Sequence, residues 1–331
     1  MRMLMFILRR LGFILISIII ISIILFTIFQ HMPGDPVLRM MADRIDQLTA
    51  EEFEAEYAAV KLMMGIDGPV VVQYFRWITR MATGDWGFSI VQRRPVLDAI
   101  RVPIGWTVML NLVVVSSTLL ITIPLGIFSA VKRGKAFDNV TLVYTTIGFS
   151  MPTFLVAILF IVVFSVYLQW TPIAGMISPI PPDTTWLRFV DRLRHIILPL
   201  ATLIFVGLAG MTRYVRAVMC DALTEDYIRT ARSKGLKEKV VIFSHAFRNI
   251  LVPIVTLLTG TLMGLFGGSV IIETIFSWSG MGQVMVQSIF SGDYSVVMAM
   301  NVFVAGISLV LILLMDLAYT IVDPRVRIMG R

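Results

Sequence analysis

NVTLVYTTIGFSMPTFLVAILFIVVFSVYLQWTPIAGMISPIPP, from Asn139 to Pro182, contains no formal charge. How this run divides decides how often the chain crosses a membrane. A crossing helix needs about 20 mostly apolar residues to span a hydrocarbon core about 30 Å thick, so the run has room for two. Its second half argues against that. Trp170-Thr-Pro-Ile-Ala-Gly-Met176 and Pro179-Ile-Pro-Pro182 concentrate prolines, which remove backbone donors that a lipid-exposed helix needs. The reading is one span over 140–168 and then an external loop.

Charge-free runs on either side supply the remaining spans: 11–34, 102–131, 195–212, 249–272 and 294–315. The fourth of the six spans is short and borrows neighbouring residues. Composition agrees: of 331 residues 57% are hydrophobic and 15% charged, against about a quarter charged in soluble domains, and the mean hydropathy is +0.87. A disordered chain is excluded, and a soluble globular one fits the composition poorly. The fold class expected is an all-α polytopic membrane protein with six transmembrane helices.

Charge placement then orients it. With the N-terminus inside, the inner segments hold Arg2, Arg9 and Arg10; Lys132, Arg133 and Lys135; eight basic residues between Arg213 and Arg248; and Arg325, Arg327 and Arg331, which is 17 of the 28 basic residues. Making two spans of 139–182 would throw the 213–248 cluster outside, against the positive-inside rule. Both termini are thus expected to be cytoplasmic. The net charge of +7 belongs to this asymmetry, and no nucleic-acid partner is expected. Residues 1–30 resemble a signal peptide in their basic start, but the apolar stretch is too long and no small-x-small site follows. An uncleaved first span is expected. Cys220 is the single cysteine, so a disulfide framework is excluded, and His31, His195 and His245 are too dispersed to form a local metal cluster.

Three parts follow: the N-terminal tail and first span (1–34), an extracytoplasmic helical segment (35–101), and a five-helix core (102–331) with an inner loop at 213–249. In the outer segment, Thr49 with Glu52 forms a capping-box pattern ahead of a helix over 49–64, with Gly65 as its C-cap. A second amphipathic stretch runs from Val70 to Met81. Either the two cap the bundle at the membrane surface or they form a platform for an external partner. No β pattern is apparent. In the inner loop, Asp226 to Lys234 has helical propensity and Gly235 stops it in an easy left-handed conformation. A second helix, Val240 to Asn249, leads towards Pro253 and the next span.

Asp226-Tyr-Ile-Arg-Thr-Ala-Arg-Ser-Lys-Gly-Leu236, followed by His245-Ala-Phe-Arg-Asn249 and Pro253, resembles the signature loop of ABC-importer permeases, in particular the dipeptide/oligopeptide/nickel branch. Further marks of that branch recur along the chain: Arg9-Arg10, Pro33-Gly34-Asp35-Pro36, Gly84-Asp-Trp-Gly-Phe-Ser89, Gly148-Phe-Ser-Met-Pro152, Glu273-Thr-Ile-Phe-Ser-Trp-Ser-Gly280-Met-Gly282, Asp293-Tyr294 and Asp323-Pro324-Arg325. In this order they are specific, although each is weak alone. Of the general Glu-Ala-Ala-x-x-x-Gly pattern only Ala231 and Gly235 match, with Arg229 and Thr230 in the first two positions.

The resemblance implies a type I importer permease that forms half of a translocation pathway. It implies as partners a homologous second permease subunit, two ABC ATPase subunits, an extracytoplasmic solute-binding protein and the lipid bilayer of a prokaryotic inner membrane. Asp226, Tyr227, Arg229, Ala231, Arg232, Gly235, Leu236, His245, Arg248 and Asn249 would make up its ATPase-coupling loop. Small Ala231 and Gly235 would let a partner surface approach, while Arg229, Arg232 and Lys234 would pair with an acidic rim. No cofactor is expected in this chain, which lacks a Gly-x-x-x-x-Gly-Lys-Ser/Thr loop; ATP and Mg would be bound by the partner ATPases. The chain is not expected to be an enzyme.

Acidic residues near the membrane bear on a second reading, a self-sufficient secondary transporter or channel. Intramembrane acids are functional candidates, yet Glu273 and Asp316 sit near interfaces, where solvation or a structural pair accounts for them. Mid-span positions carry no charge, and the inverted repeats of such carriers are not apparent. Peptides are favoured as solute on family frequency alone.

Overall fold

A computed structural model describes residues 2–31, 34–42, 44–267 and 269–322, with the side chains of 2–4, 6–7, 258–267 and 315–322 outside the description. Pro33, Asp323 and Pro324 therefore lie outside the described residues, as does the side chain of Asp316. Among the described residues, five helices are long and apolar enough to cross a membrane, and a sixth span results when one bent pair is counted together. The chain divides into two compact units.

The first unit comprises Met1–Gly105 and Gln283–Leu313. Helix α1 (Arg2–Gln30) is the first span, and α2 (Pro36–Met41), α3 (Ala50–Met64) and α4 (Val70–Ala82) follow. The capping box is present: the Glu52 carboxylate accepts from the Thr49 backbone N–H at 2.9 Å, and Thr49 Oγ1 accepts from the Glu52 N–H at 3.4 Å. That pairing holds the Glu52 carboxyl below its usual range. Tyr74 and Trp77 of α4 pack on Phe26 of α1, ring centroids 5.5 and 5.6 Å apart, and the Tyr74 and Ser22 hydroxyls meet at 2.8 Å. Burial of that apolar face, not helix propensity, holds α4 in place. One detail departs from the sequence reading. Strands β1 (Phe88–Ser89) and β2 (Arg94–Pro95) form an antiparallel ladder in the outer segment, too short for any alternation to appear. Beyond it lie the start of α5 (Val96–Val131), most of α13 (Met281–Ser291) and α14 (Tyr294–Val322) as far as Leu313.

The second unit comprises Trp106–Gly282 and Leu314–Arg331. After the body of α5 come α6 (Ala136–Ser150) and α7 (Thr153–Phe160), the latter prolonged by a π-helical stretch to Tyr167. The one span expected over 140–168 is present as a bent pair: α6 and α7 meet at 104°. Pro152 starts α7, and Met151 before it is extended, with ψ 128°, as steric conflict with a proline ring demands. Helix α8 (Thr185–Thr224) has 40 residues, about 60 Å at 1.5 Å per residue and about twice a hydrocarbon core. The fourth charge-free run is only its middle. Helices α9 (Asp226–Ser233), α10 (Glu238–Val240, extended by a π-helical stretch to Phe247), α11 (Arg248–Gly267) and α12 (Val270–Ile275) complete the unit.

Candidate functional site

Helix α8 stops at Thr224, and extended Glu225 (ψ 152°) redirects the chain into α9. Only eight residues long, α9 is marginal by itself, so its stability has to come from packing. Ile228 and Ala231, three residues apart and thus on one face, are 0% and 4% exposed. They join Ile127 of α5, Val215 and Met219 of α8, Ala246 of the π-helical stretch and Ile250 of α11 in one buried cluster. This corrects the reading of Ala231 as room for a partner. Its small side chain is needed inside the chain, where α9 lies close over its own core.

The end of α9 follows from glycine. Gly235 has φ +74°, its N–H bonds to the Arg232 carbonyl at 2.9 Å, and the Leu236 N–H reaches back to Ala231 at 3.4 Å. This is the Schellman arrangement, which satisfies carbonyls that the helix end would leave open. Across the turn the Arg232 guanidinium grips Glu238 with two bonds, of 2.6 and 3.2 Å. That contact draws the Glu238 carboxyl down from its ordinary value and pushes Arg232 up. The Arg229–Asp226 pair at 3.4 Å is far more exposed and worth little.

What remains on the outside of α9 and its turn is a mixed surface. Tyr227 and Leu236 are exposed, as are Arg229, Thr230, Arg232, Lys234 and Lys237. Further along, Val240 and Phe243 are exposed, His245 is half-buried, and Arg248 and Asn249 face outward, with the Asn249 amide donating to the His245 carbonyl at 2.8 Å. Aromatic and aliphatic side chains framed by guanidinium and ammonium groups can dock against an acidic-rimmed protein groove. No group of acids, histidines and cysteine among the described residues is arranged to hold a metal ion.

The other predicted residues do structural work in separate places. Asp35 caps α2, accepting from the Val37 N–H at 2.8 Å and from the Tyr57 hydroxyl at 2.6 Å, with Pro36 in the first turn and Gly34 at φ +101°. Glu273, for which interfacial solvation or a structural pair was expected, is fully buried and structurally paired. Its carboxylate accepts from Thr107 Oγ1 at 2.8 Å and from the Gly282 N–H at 2.6 Å, while Thr107 accepts from the Met281 N–H at 2.8 Å. A Cβ on Gly280 would stand 2.6 Å from that carboxylate and one on Gly282 2.9 Å, which explains both glycines. In the first unit, Ser89 donates to buried Asp293 and the Val91 N–H does so at 3.4 Å, so two separate sequence marks form a single latch.

Asp138 and Arg216 escaped the sequence reading. Asp138 is buried in the first turn of α6 and forms a two-bond ion pair with Arg216 of α8. The available signal was an acid three positions after the basic trio of an inner loop, at the mouth of a span.

The pattern of the family described as "binding-protein-dependent transport system inner membrane component" matches residues 122–328, and that of its N-terminal part matches residues 3–110. The chain is 39% identical over 307 residues to the oligopeptide transport system permease protein AppB of Bacillus subtilis, covering 92% of this chain and 94% of that one. It is 34% identical over 342 residues to the dipeptide transport system permease protein DppB of Escherichia coli K12, and 34% identical over 341 residues to the di/tripeptide permease DppB of Pseudomonas aeruginosa, with 98% of this chain and 99% of the relative covered in both cases. Matched along nearly its whole length, the chain belongs to the family of inner-membrane components of binding-protein-dependent transport systems.

Proposed function

We propose that this chain is the permease subunit of an ATP-driven importer for di- or oligopeptides or similar small solutes. With a homologous second permease it forms the pathway through a prokaryotic inner membrane. Two ABC ATPase subunits dock on the 226–236 loop, and a solute-binding protein delivers solute from the other side. In this arrangement 35–101 is extracytoplasmic and 213–249 is cytoplasmic, in keeping with the distribution of basic residues.

One observation carries the coupling role: α9 is embedded in a core shared with α5, α8 and α11, while its outer face keeps Tyr227, Leu236 and the basic residues exposed. A helix locked to its spans passes on a rigid-body displacement, whereas a loose loop absorbs it. Peptide as solute rests on the relatives being oligopeptide, dipeptide and di/tripeptide permeases by name. The test is ATP hydrolysis by the complex purified with its ATPases and reconstituted in liposomes. Peptide-loaded binding protein is expected to stimulate hydrolysis, with uptake that requires ATP. Uptake by this chain without the ATPases, driven by an ion gradient, would instead establish a secondary transporter.

A further inference from the structure

We propose that Asp138 is a positioning residue, the joint that makes the spans α5, α6 and α8 follow the 226–236 loop as one body; this rests on the coupling role proposed above. Its carboxylate is 1% exposed and takes four donors. Arg216 Nε approaches Oδ1 at 2.5 Å and Arg216 Nη2 approaches Oδ2 at 2.8 Å. The Ser129 hydroxyl donates to Oδ1 at 2.6 Å and the Gly134 N–H to Oδ2 at 2.9 Å. Those donors come from α8, from the end of α5 and from the turn before α6, so one carboxylate ties three segments at one point.

The same end of α8 supports α9. Val215, next to Arg216, and Met219 belong to the buried cluster that seats Ile228 and Ala231. Close packing continues the tie along the helices: a Cβ on Gly126 would fall 2.7 Å from Val215, and one on Gly148 would fall 2.9 Å from Ala209. Displacement of α9 thus reaches α8 and α5 through packing, and α6 is attached at its first turn by the Asp138 fork. A buried ion pair is a weak source of stability compared with an apolar substitute, but a two-pronged guanidinium–carboxylate contact fixes relative position.

The test uses the whole transporter, with ATPases, second permease and binding protein, in proteoliposomes, and reads solute taken up per ATP hydrolysed. Asp138→Asn keeps the shape and removes the charge. We expect complexes of unchanged stoichiometry that still hydrolyse ATP while uptake per ATP falls about tenfold, the size of an ordinary coupling free energy. Arg216→Lys keeps the charge but loses the fork and is expected to lie between wild type and Asp138→Asn; it decides the matter if Asp138→Asn fails to reach the membrane. A merely structural role would reduce uptake and hydrolysis in proportion, and that result, like an unchanged ratio in both variants, overturns the proposal. Gly235→Glu is measured beside them. If it too keeps its ATPases and leaves transport normal, the coupling role itself has failed; if it loses its ATPases or its transport and the Asp138 and Arg216 variants keep a normal ratio, the joint alone has failed.

Discussion

At Gly235 backbone and docking effects can be separated. Nothing lies within 4 Å of the place its Cβ would occupy, yet φ is +74°. Gly235→Ala therefore meets only the left-handed backbone penalty, about 1 kcal/mol, and is expected to fold, assemble and transport. Gly235→Glu adds an anion to the exposed surface and is expected to lose its ATPases on purification from otherwise normal membranes. Gly280 poses the opposite case. A Cβ there would overlap Thr107 and Glu273, which hold each other through hydrogen bonds, so Gly280→Ala is expected to cost about 1–3 kcal/mol as overpacking. Thermal unfolding of the detergent-purified chain measures it, with Gly306→Ala, where nothing lies within 4 Å, showing no comparable loss. The Glu238–Arg232 pair sets a pH expectation. Glu238 titrates below its usual 4.5 when folded, so the pair's contribution is complete above that value and lost as pH falls through the lower folded one. With side chains 45% and 53% exposed, it is worth under about 1 kcal/mol. Melting should be the same in Glu238→Gln and wild type to within that amount, and any difference should vanish in acid.

At the scale of elements, α9 depends on Ile228, which is fully buried in the shared cluster. Ile228→Ala is expected to cost about 2–5 kcal/mol as a core truncation. Because α9 is short, the loss should appear as fast amide exchange from 226 to 236 while α8 stays protected; equal exchange in variant and wild type would mean α9 does not rest on that core. The end of α9 was legible in advance, because Gly235 is a local signal that acts within one turn. So was the Thr49–Glu52 box, for the same reason. The 104° bend after Met151 was not, although Pro152 was in view: a proline at a helix start and one inside a helix look alike in sequence, and Pro199 lies within unbroken α8. Nor could the burial of Ala231 or Glu273 be read. Small residues suit a partner's approach and a chain's own close packing equally well, and an acid near a span's end reveals nothing of partners 166 positions away, as Thr107 is from Glu273.

For the whole molecule, the account requires opposite sides for the outer segment and the α9 loop. A cysteine replacing exposed Ala59 in a Cys220→Ser background is expected to react with an impermeant maleimide added outside, and one replacing exposed Lys237 only after the membrane is opened. The reverse pattern would invert the topology and remove the loop from any cytoplasmic ATPase. The central claim is that α9 itself seats in the ATPase subunit. A photo-crosslinking amino acid in place of Tyr227, at the exposed start of α9, tests it directly in the assembled, transporting complex. The account predicts a crosslinked product containing this chain and an ATPase subunit, lost when Gly235→Glu is added. A fully active complex in which position 227 crosslinks only to lipid, or to nothing, would contradict it.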